Sequence, residues 1–499
     1  MACVLSSVSS SFGKAVKAIK SLDVQHGRPV SEITDPRKTI VPIAIASLLF
    51  FAWGLTYGLL DVMNYHVRIA MAARRDEGAL LALGYYMAYL VGPTIFAGPL
   101  IKHAGYRLCM FLGLFTVGLG CMFMSLGADG CTLGGMTGGH FVIGIGVSML
   151  ERSANAYAVN CGPRQHATLR ILVAQAMAGV GTVVAPFLAA AFVFSPDSSN
   201  VVPAPDPFTP GKCLPPVDKT GSCAELGSVI TFYRGIGAIV LGVSLVLATL
   251  FFRTRLVPEV AVLKSPRTTC GWKLWRHPLV SVKHSRVWWG VVANFVNLGL
   301  QVAFAQFFME HMKINACASD RWAANWMSVA QAAFVAGRFS AAAAVVFPKI
   351  FRPRYVLLAF LAGAVAFTGA SVVVTGSTAI AMAVMVMFAE APSFPMIFES
   401  ATAGFEEWTP TCETLMIVSI SGGGILPVIM GKLTDMVGIS MAWTLVSACF
   451  AFVLTYPVAL CVLPSYRKAL DQADGCGGRG SDEEITSAEP GKATAMHRL

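Results

Sequence analysis

The chain has 499 residues, of which 55% are hydrophobic and only 13% are charged, about half the roughly 25% typical of soluble globular proteins. This composition excludes a soluble enzyme, and apolar runs of about 20 residues recur along the chain, as they do in polytopic helical membrane proteins. The net charge of +10 arises from bases in short segments beside those runs, not from one basic patch interleaved with aromatic residues. We therefore expect membrane topology signals and no binding of nucleic acid.

The polar and apolar segments divide the chain into five parts. Residues 1–39 are predicted to be a cytoplasmic tail, because their apolar stretch is too short for a signal peptide; a mitochondrial presequence, which would also be Ser-rich and basic, is the alternative. Residues 464–499 are polar, Gly-rich and poor in aromatic residues, as disordered tails are. Between them a basic linker, residues 253–286, separates two predicted six-helix bundles, residues 40–252 and 287–463. The apolar runs predict about twelve spans, numbered here in chain order and centred near Phe51, Leu90, Leu114, Gly146, Val183, Val240, Val302, Val335, Phe360, Met385, Leu426 and Val453.

The short loops between the predicted spans indicate how the chain is inserted in the membrane. If the linker and both termini are cytoplasmic, the cytoplasmic loops carry most of the loop bases, in agreement with the positive-inside rule. These bases are Lys102, Arg107, Arg164, Arg170, Lys349, Arg352 and Arg354. We therefore expect both termini in the cytoplasm, with the plasma membrane as the default location.

The cysteines and the common catalytic motifs bear on whether the chain has a disulfide, a metal site or an enzymatic activity. Cys213 and Cys223 share one long polar loop on the opposite side of the membrane, where they form a disulfide if the compartment is oxidising; two free thiols are an equal alternative. The sequence has no CxxC pair and no His/Cys cluster, so no metal site is predicted. It also lacks the P-loop lysine motif, so we expect no ATP, no cofactor and no enzymatic activity.

Glycine and proline recur at matching places in spans 5 and 11. Span 5 reads AGVGTVVAPFLAAA and span 11 reads SGGGILPVIMGKL, so each combines glycines, which allow close helix contact, with a proline that permits a kink. For either segment alone, the simpler explanation is that both residues are common in membrane helices. Their matching positions, five spans into each half, predict an all-α polytopic membrane protein of two pseudo-symmetric six-helix bundles, the major facilitator fold.

Polar side chains concentrate in spans 1, 4, 7 and 10, the first helices of the four three-helix units. A charged residue at the bilayer centre costs about 2.5–3.5 kcal/mol on the insertion scale, so its position is informative. In spans 1, 4 and 7, helical spacing brings the polar residues to one face, with Arg152 beside that face in span 4. The residues are Trp53, Tyr57, Asp61 and Asn64 in span 1, Glu151, Arg152 and Asn155 in span 4, Asn294, Asn297 and Gln301 in span 7, and Glu390 and Glu399 around two prolines in span 10.

Four polar segments that converge on one axis predict a water-filled cavity between the halves. The alternative is that Asn and Gln side chains bond neighbouring helices together. Carboxyl groups have no comparable packing role, and the protonated form is cheaper to bury, so Asp61 and Glu151 are predicted to carry a proton. Arg152 stays open between an ion pair with either acid, snorkelling to the interface, and donation to a substrate. Arg338 is expected to close a structural ion pair at the cytoplasmic end of span 8.

Six segments of the chain carry a family resemblance. They are FFAWGLTYGLLDVMNYH in span 1, LERSANAYAVNCGP in span 4, LRILVAQAMAGVG in span 5, GRFSA in span 8, FPMIF in span 10 and SISGGGILPVIMG in span 11. Together they resemble the fucose:proton symporter family of the major facilitator superfamily, in particular its fungal members. The resemblance implies that Asp61 and Glu151 carry proton coupling and sugar contact, and that Asn155, Gln175 and Gln301 occupy positions of the substrate cavity.

The resemblance and the polar residues together suggest a function. We expect a secondary transporter that imports a hexose or 6-deoxyhexose with protons by alternating access, with the small solute, protons and the lipid bilayer as its partners. Trp53 and Tyr57 would stack on the sugar, and the span 7 amides would bond its hydroxyls. The residue after Glu151 is Arg152, where the family usually has Thr, so coupling is better supported than the sugar's identity. The alternative is a proton-coupled antiporter that exports a secondary metabolite or toxin.

Overall fold

The computed structural model describes residues 36–71, 73–161, 167–192, 226–253, 257–258, 285–316, 320–345, 351–403 and 409–473. Within these ranges, eleven helices are long and apolar enough to cross a membrane. A further helix, Ala167–Phe192, with its apolar part at Val173–Ala189, occupies the predicted position of span 5. The all-α polytopic architecture is therefore confirmed. Most of the predicted tails and linker lies outside the described residues, as does the loop with Cys213 and Cys223.

The helices of the N-terminal half follow the predicted order. Span 2 changes from α-helix to a π-helical turn and back again, at a point where Pro93 interrupts the regular hydrogen bonds. A short helix, Arg75–Gly78, precedes it. The bounds are Pro36–Ala70 for span 1, Leu80–Val91, Gly92–Ala97 and Gly98–Ala104 for span 2, Tyr106–Asp129 for span 3, Leu133–Asn160 for span 4, Ala167–Phe192 for span 5 and Gly227–Arg253 for span 6.

The helices of the C-terminal half include two broken spans. Span 10 is interrupted at Ala391 and Pro392, and span 11 contains a 3₁₀ turn. The bounds are Ser285–Ala316 for span 7, Asp320–Val345 for span 8, Pro353–Val373 for span 9, Gly376–Glu390 and Ser393–Thr402 for span 10, Thr409–Val418, Ser419–Ser421 and Gly422–Val437 for span 11, and Ile439–Val462 for span 12. A last helix, Pro464–Ala473, follows span 12.

The outer surface of the bundle is apolar, while its polar residues are largely buried. On span 6, for example, Ile239, Leu245 and Val246 each expose more than half of their surface, which suits contact with lipid chains. Buried polar residues, by contrast, line the contacts between spans 1, 4, 5, 7, 8 and 10. The membrane-facing and cavity-facing sides of the helices are thus separated, as the helical spacing of the polar residues predicts.

Glycines join span 1 to span 5 and span 7 to span 11, which are equivalent pairs in the two halves. A Cβ atom at Gly181 of span 5 would overlap the carbonyl oxygen of Phe51 in span 1. A Cβ atom at Gly422 of span 11 would likewise overlap the carbonyl oxygen of Phe295 in span 7. The prediction that these glycines allow close helix contact is confirmed, and the matching contacts support the relation between the halves.

Gly181→Ala is expected to lower the thermal stability of the detergent-solubilised protein by several degrees. The added methyl group has no room against the span 1 backbone, and overpacking typically costs about 1–3 kcal/mol. Gly242→Ala is the matched control, since this glycine also lies within a span and a Cβ there meets no atom within 4 Å. A helical Gly→Ala change at such a site leaves stability equal or higher. Equal melting temperatures for the two variants would refute the close-contact explanation.

One cysteine has a role that the sequence analysis did not assign. Cys131, in the turn between spans 3 and 4, is disulfide-bonded. This turn lies at the opposite end of span 3 from Arg107. By contrast, the described cysteines Cys121 and Cys161 are not disulfide-bonded.

Candidate functional site

The predicted carboxyl group of span 4 is buried and has neighbours in both halves of the chain. Glu151 is buried, and its Oε2 accepts a hydrogen bond of 3.1 Å from the hydroxyl of Tyr89 in span 2. The carboxylate also interacts electrostatically with Arg338 of span 8. Glu151 therefore has one partner in its own half and one in the other half.

Arg338 connects the two halves through backbone carbonyls as well as through charge. Its Nε donates to Ala391 O of span 10 at 3.2 Å, and one terminal nitrogen donates to Gln175 O of span 5 at 3.4 Å. The Ala391 carbonyl is open because the residue four positions later, Pro395, has no N–H to donate to it. Span 10 is broken at this point, and the guanidinium satisfies the carbonyl that the break releases.

This position corrects the prediction for Arg338. The residue was expected to form a structural ion pair at the cytoplasmic end of span 8. In the structure its guanidinium lies between the halves and interacts electrostatically with Glu151, Glu390 and Tyr57, all of which are predicted site residues. The ring of Phe334, one turn earlier, lies 4.6 Å from the guanidinium carbon. Arg338 thus belongs to the candidate site.

The polar residues of spans 4 and 5 are linked directly. The Gln175 side-chain nitrogen donates to Asn155 Oδ1 at 3.2 Å, and both side chains are buried. Asn155 lies one turn after Glu151 on the same face of span 4. The structure therefore brings Glu151, Asn155 and Gln175 together in one polar region, as the resemblance implied.

In span 1 the structure gives geometry for three of the four predicted residues. The rings of Trp53 and Tyr57 are stacked, with centroids 5.9 Å apart and planes inclined by 24°. Asn64 is buried, and neither its amide nitrogen nor its amide oxygen has a hydrogen-bond partner among the described residues. Asp61 lies on the same helix, but its side chain is outside the part that the structure describes, so its role in proton coupling stays a prediction.

The span 7 amides divide into two kinds. Asn294 donates to Ser419 Oγ at 2.7 Å, so its side chain bonds span 7 to span 11 and has the packing role that was the alternative to substrate binding. Asn297 is buried, and its Oδ1 has no hydrogen-bond partner among the described residues. Gln301, one turn further, is also buried. The Oδ1 of Asn294 likewise has no hydrogen-bond partner among the described residues, so substrate contact by Asn294, Asn297 and Gln301 stays a prediction.

The two glutamates of span 10 are in different surroundings. Glu390 is buried at the break of the span, close enough to Arg338 to interact with it electrostatically. Glu399 lies on the second segment of the span and is exposed. The structure thus brings Glu390, but not Glu399, into the buried polar region. Substrate binding by either residue stays a prediction.

Arg152 points away from this region, toward span 2. Its guanidinium donates to the carbonyl of Pro93, in the π-helical turn, and passes over Gly98, where a Cβ would lie 2.9 Å from the terminal nitrogen. Its acidic neighbour is Glu413 at the start of span 11, a residue that the sequence analysis did not select. The Arg152 guanidinium thus bonds a backbone carbonyl of span 2, and the choice among the open alternatives for its role stays a prediction.

The arrangement combines three chemical capabilities. A buried carboxyl with a hydroxyl and an arginine beside it can gain and lose a proton. Buried amides can bond hydroxyl groups, and a stacked aromatic pair offers an apolar face. No group of three or more His, Cys, Asp or Glu side chains that could hold a metal occurs in the described ranges.

Tyr89 was not predicted from the sequence, although a tyrosine hydroxyl within an apolar run is a signal that could have identified it.

Two six-helix bundles with a charged and polar region between them define the class of secondary transporters. The family model of the Major Facilitator Superfamily matches residues 43–411, and the chain therefore belongs to that superfamily. It is a transporter and not an enzyme.

Several known proteins resemble the chain along most of its length. The glucose/galactose transporter of Brucella abortus is 25% identical over 421 residues, which cover 82% of this chain and 92% of that protein. The L-fucose-proton symporter of Escherichia coli is 25% identical over 440 residues, which cover 87% and 97%. The crystal structure of the Escherichia coli fucose:proton symporter matches with a TM-score of 0.63 and 23% identity, covering 84% of this chain and 98% of that one. This structural likeness confirms the major facilitator fold.

Proposed function

We propose that the protein is a proton-coupled sugar symporter that carries a hexose or 6-deoxyhexose by alternating access. The observation that carries the proposal is the position of Glu151, which is buried at the contact of the two halves between Tyr89 and Arg338. The names of the relatives support a sugar and a proton as the transported species. The resemblance of spans 1 and 4 supports membership in the fucose:proton symporter family, in its fungal type.

The proton acts on the contact between the halves. A charged Glu151 attracts Arg338, which holds carbonyl groups of spans 5 and 10 at the same time. Protonation of Glu151 removes that attraction, and a protonated carboxyl can donate a hydrogen bond where the carboxylate only accepts. Arg338 then keeps Glu390 as its acidic neighbour. The loss of charge at Glu151 therefore removes the attraction of Arg338 to span 4 and leaves its attraction to span 10.

The sugar binds beside this group. Trp53 and Tyr57 form the stacked pair that covers the apolar face of the ring. Asn64, Asn297 and Gln301 have buried amides for its hydroxyl groups. A bound sugar would explain why Asn64 and Asn297 have amide atoms without partners among the described residues. Asp61 shares the proton-carrying role with Glu151.

The orientation follows from charge and from redox chemistry. Both termini are cytoplasmic in the plasma membrane, since this places Lys102, Arg107, Arg352 and Arg354 on the cytoplasmic side. The disulfide of Cys131 supports the same orientation, because it lies at the opposite end of the bundle, where an oxidising compartment permits it.

The test is solute-driven proton movement in proteoliposomes. Glucose, galactose, L-fucose and a non-transported polyol are added outside vesicles that contain the purified protein and a pH-sensitive dye outside. A symporter makes the external solution more alkaline with one of the sugars, and protein-free vesicles show no change. Acidification would instead support the second candidate, the antiporter, which the electrostatic interaction of Arg152 with Glu413 favours. Sugar uptake without any pH change would refute coupling.

A further inference from the structure

A small cavity is lined by residues of the N-terminal half alone, so it differs from the polar region between the halves. The residues that line it come from spans 1, 2, 3, 4 and 6 and are Thr56, Leu59, Tyr85, Cys121, His140, Ile143, Tyr233 and Ile236. Measured as space for the centre of a water molecule, its volume is about 10 Å³. A buried water needs about 10–15 Å³ on this measure and two to four polar partners. Three hydroxyl groups and one imidazole ring in the wall are such partners, so the cavity suits about one water molecule.

His140 and Tyr233 form a buried polar pair in the wall of this cavity. The Nδ1 atom of His140 lies 3.1 Å from Met136 O, and because a carbonyl oxygen only accepts, Nδ1 carries the hydrogen. In the neutral ring Nε2 is then an acceptor, and the Tyr233 hydroxyl, 3.5 Å away, donates to it. Both side chains are buried. His140 can therefore take up a proton at Nε2 and release it again from the same atom.

Span 2 connects this cavity to Glu151. Tyr85, in the wall of the cavity, lies one turn before Tyr89, which donates to Glu151, and the two tyrosines interact electrostatically. His140 and Glu151 are eleven residues apart on span 4, which is about three turns and about 16 Å, so they share nearly one face of the helix. A Cβ at Gly144, between them, would overlap the carbonyl oxygen of Tyr85, so spans 2 and 4 are in close contact along this face. Polar groups thus follow one another from His140 to Glu151.

We infer that protons reach Glu151 through the N-terminal half, by way of His140, a water in the cavity, Tyr85 and Tyr89. The inference rests on the proposed function, in which Glu151 carries the proton, and it gives the proton a route apart from the sugar. His140 lies two turns into span 4 from the end that holds the Cys131 turn, so the route begins on that side.

Each transfer along this route conserves protons. His140 takes a proton at Nε2 and passes it from Nε2 to the water, which gives one of its own hydrogens to the Tyr85 oxygen. Tyr85 then gives its hydroxyl hydrogen to the Tyr89 oxygen, and Tyr89 gives its own to the Glu151 carboxylate, along the hydrogen bond already present. One proton has entered, one carboxylate has become a carboxylic acid, and every group between them is neutral again.

The test measures the arrival of protons at Glu151 without any sugar. In infrared spectra a protonated Glu151 gives a C=O stretching band, which is assigned as the band that Glu151→Gln lacks. The purified protein is held at an acidic pH at which this band is present and is then moved into heavy water. The rate at which the band shifts is the rate of proton exchange at Glu151.

Tyr85→Phe is expected to slow this exchange about tenfold, because it keeps the ring and removes one hydroxyl group of the route. A positioned group that transfers a proton typically accelerates the transfer about 100-fold or more, and rearranged water recovers part of that loss. Tyr86→Phe is the matched control, since Tyr86 is the next residue, is equally buried and packs against Gly423 of span 11 instead of lining the cavity. We expect the parent rate in this control.

His140→Gln tests the other end of the route. Its amide oxygen can still accept from Tyr233, but the side chain takes up no proton, so we again expect slow exchange. Exchange at the parent rate in both Tyr85→Phe and His140→Gln would overturn the route, and so would equal slowing in Tyr86→Phe.

The same variants in proteoliposomes separate this inference from the proposed function. Sugar-driven alkalinisation is expected to slow in Tyr85→Phe, whereas counterflow of labelled sugar, which needs no net proton movement, stays at the parent rate. Slow exchange at Glu151 in the variants with no alkalinisation by the parent would refute proton-coupled sugar transport and leave the route in place. Alkalinisation by the parent with unchanged exchange in the variants would refute the route alone.

Discussion

Arg338→Met is expected to reduce active sugar uptake about 100-fold or more. The substitution keeps much of the side-chain volume but removes the charge that attracts Glu151. It also removes the hydrogen bonds that Arg338 donates to the carbonyls of Gln175 and Ala391. Loss of a hydrogen bond from a charged donor costs about 1.5–3 kcal/mol, Arg338 donates two such bonds, and each 1.4 kcal/mol corresponds to a factor of ten. Initial rates of labelled-sugar uptake in cells or proteoliposomes provide the measurement.

Two companion variants separate this explanation from a general loss of fold. Arg234→Met removes an arginine whose pair with Asp129 is half exposed, and uptake is expected to stay within about twofold. Arg338→Lys retains the charge but cannot serve two carbonyls with the planar guanidinium geometry, so uptake is expected to be intermediate. Full activity in Arg338→Met would show that the arginine has only a packing role.

Glu151→Gln is expected to abolish sugar-driven alkalinisation while sugar exchange across the membrane continues. The glutamine has nearly the shape of glutamate, and its side-chain oxygen still accepts from the Tyr89 hydroxyl, but it cannot take up a proton. Because the cycle no longer needs a proton at this position, the substrate can still bind and the halves can still move. External pH and counterflow of labelled sugar are measured on the same vesicles.

Tyr89→Phe is the control for Glu151→Gln, because it removes the hydrogen bond and leaves the carboxyl in place. Loss of a neutral donor typically costs about 0.5–1.5 kcal/mol, so we expect at most about a tenfold slower rate with alkalinisation retained. Alkalinisation by Glu151→Gln at the parental rate would contradict the assignment of Glu151 as a proton carrier. In that case Asp61 would have to carry coupling alone.

The sequence was most informative about features that depend on the free energy of placing a single residue in the bilayer. A span must be apolar over its length, and a carboxyl within it must have a use, so the helices and Glu151 could be predicted from local composition and spacing. The matching glycines of spans 5 and 11 also predicted close contacts, and both contacts are present. The helix bounds agree with the predicted span centres for the same reason.

The partners of the polar residues could not be predicted in the same way. Arg338 bonds carbonyls 53 and 163 residues away along the chain, and one of these carbonyls is open only because span 10 breaks at a proline. Asn294 lies on the same face of span 7 as Asn297, yet its side chain donates a hydrogen bond to Ser419. Ser419 lies in the 3₁₀ turn of span 11. Arg152 follows Glu151 directly but faces another acid, Glu413.

The sequence alone thus determined that the chain forms two related sets of membrane helices with buried acids. The reason is that the free-energy cost of exposing a polar group to lipid depends on the residue type and can be read without the tertiary structure. Only the tertiary structure decided which arginine faces which acid and which asparagine is bound by a neighbouring helix. The physical reason is that a buried charge is stabilised by its closest partner, and the closest partner is set by helix packing and helix breaks, not by distance along the chain.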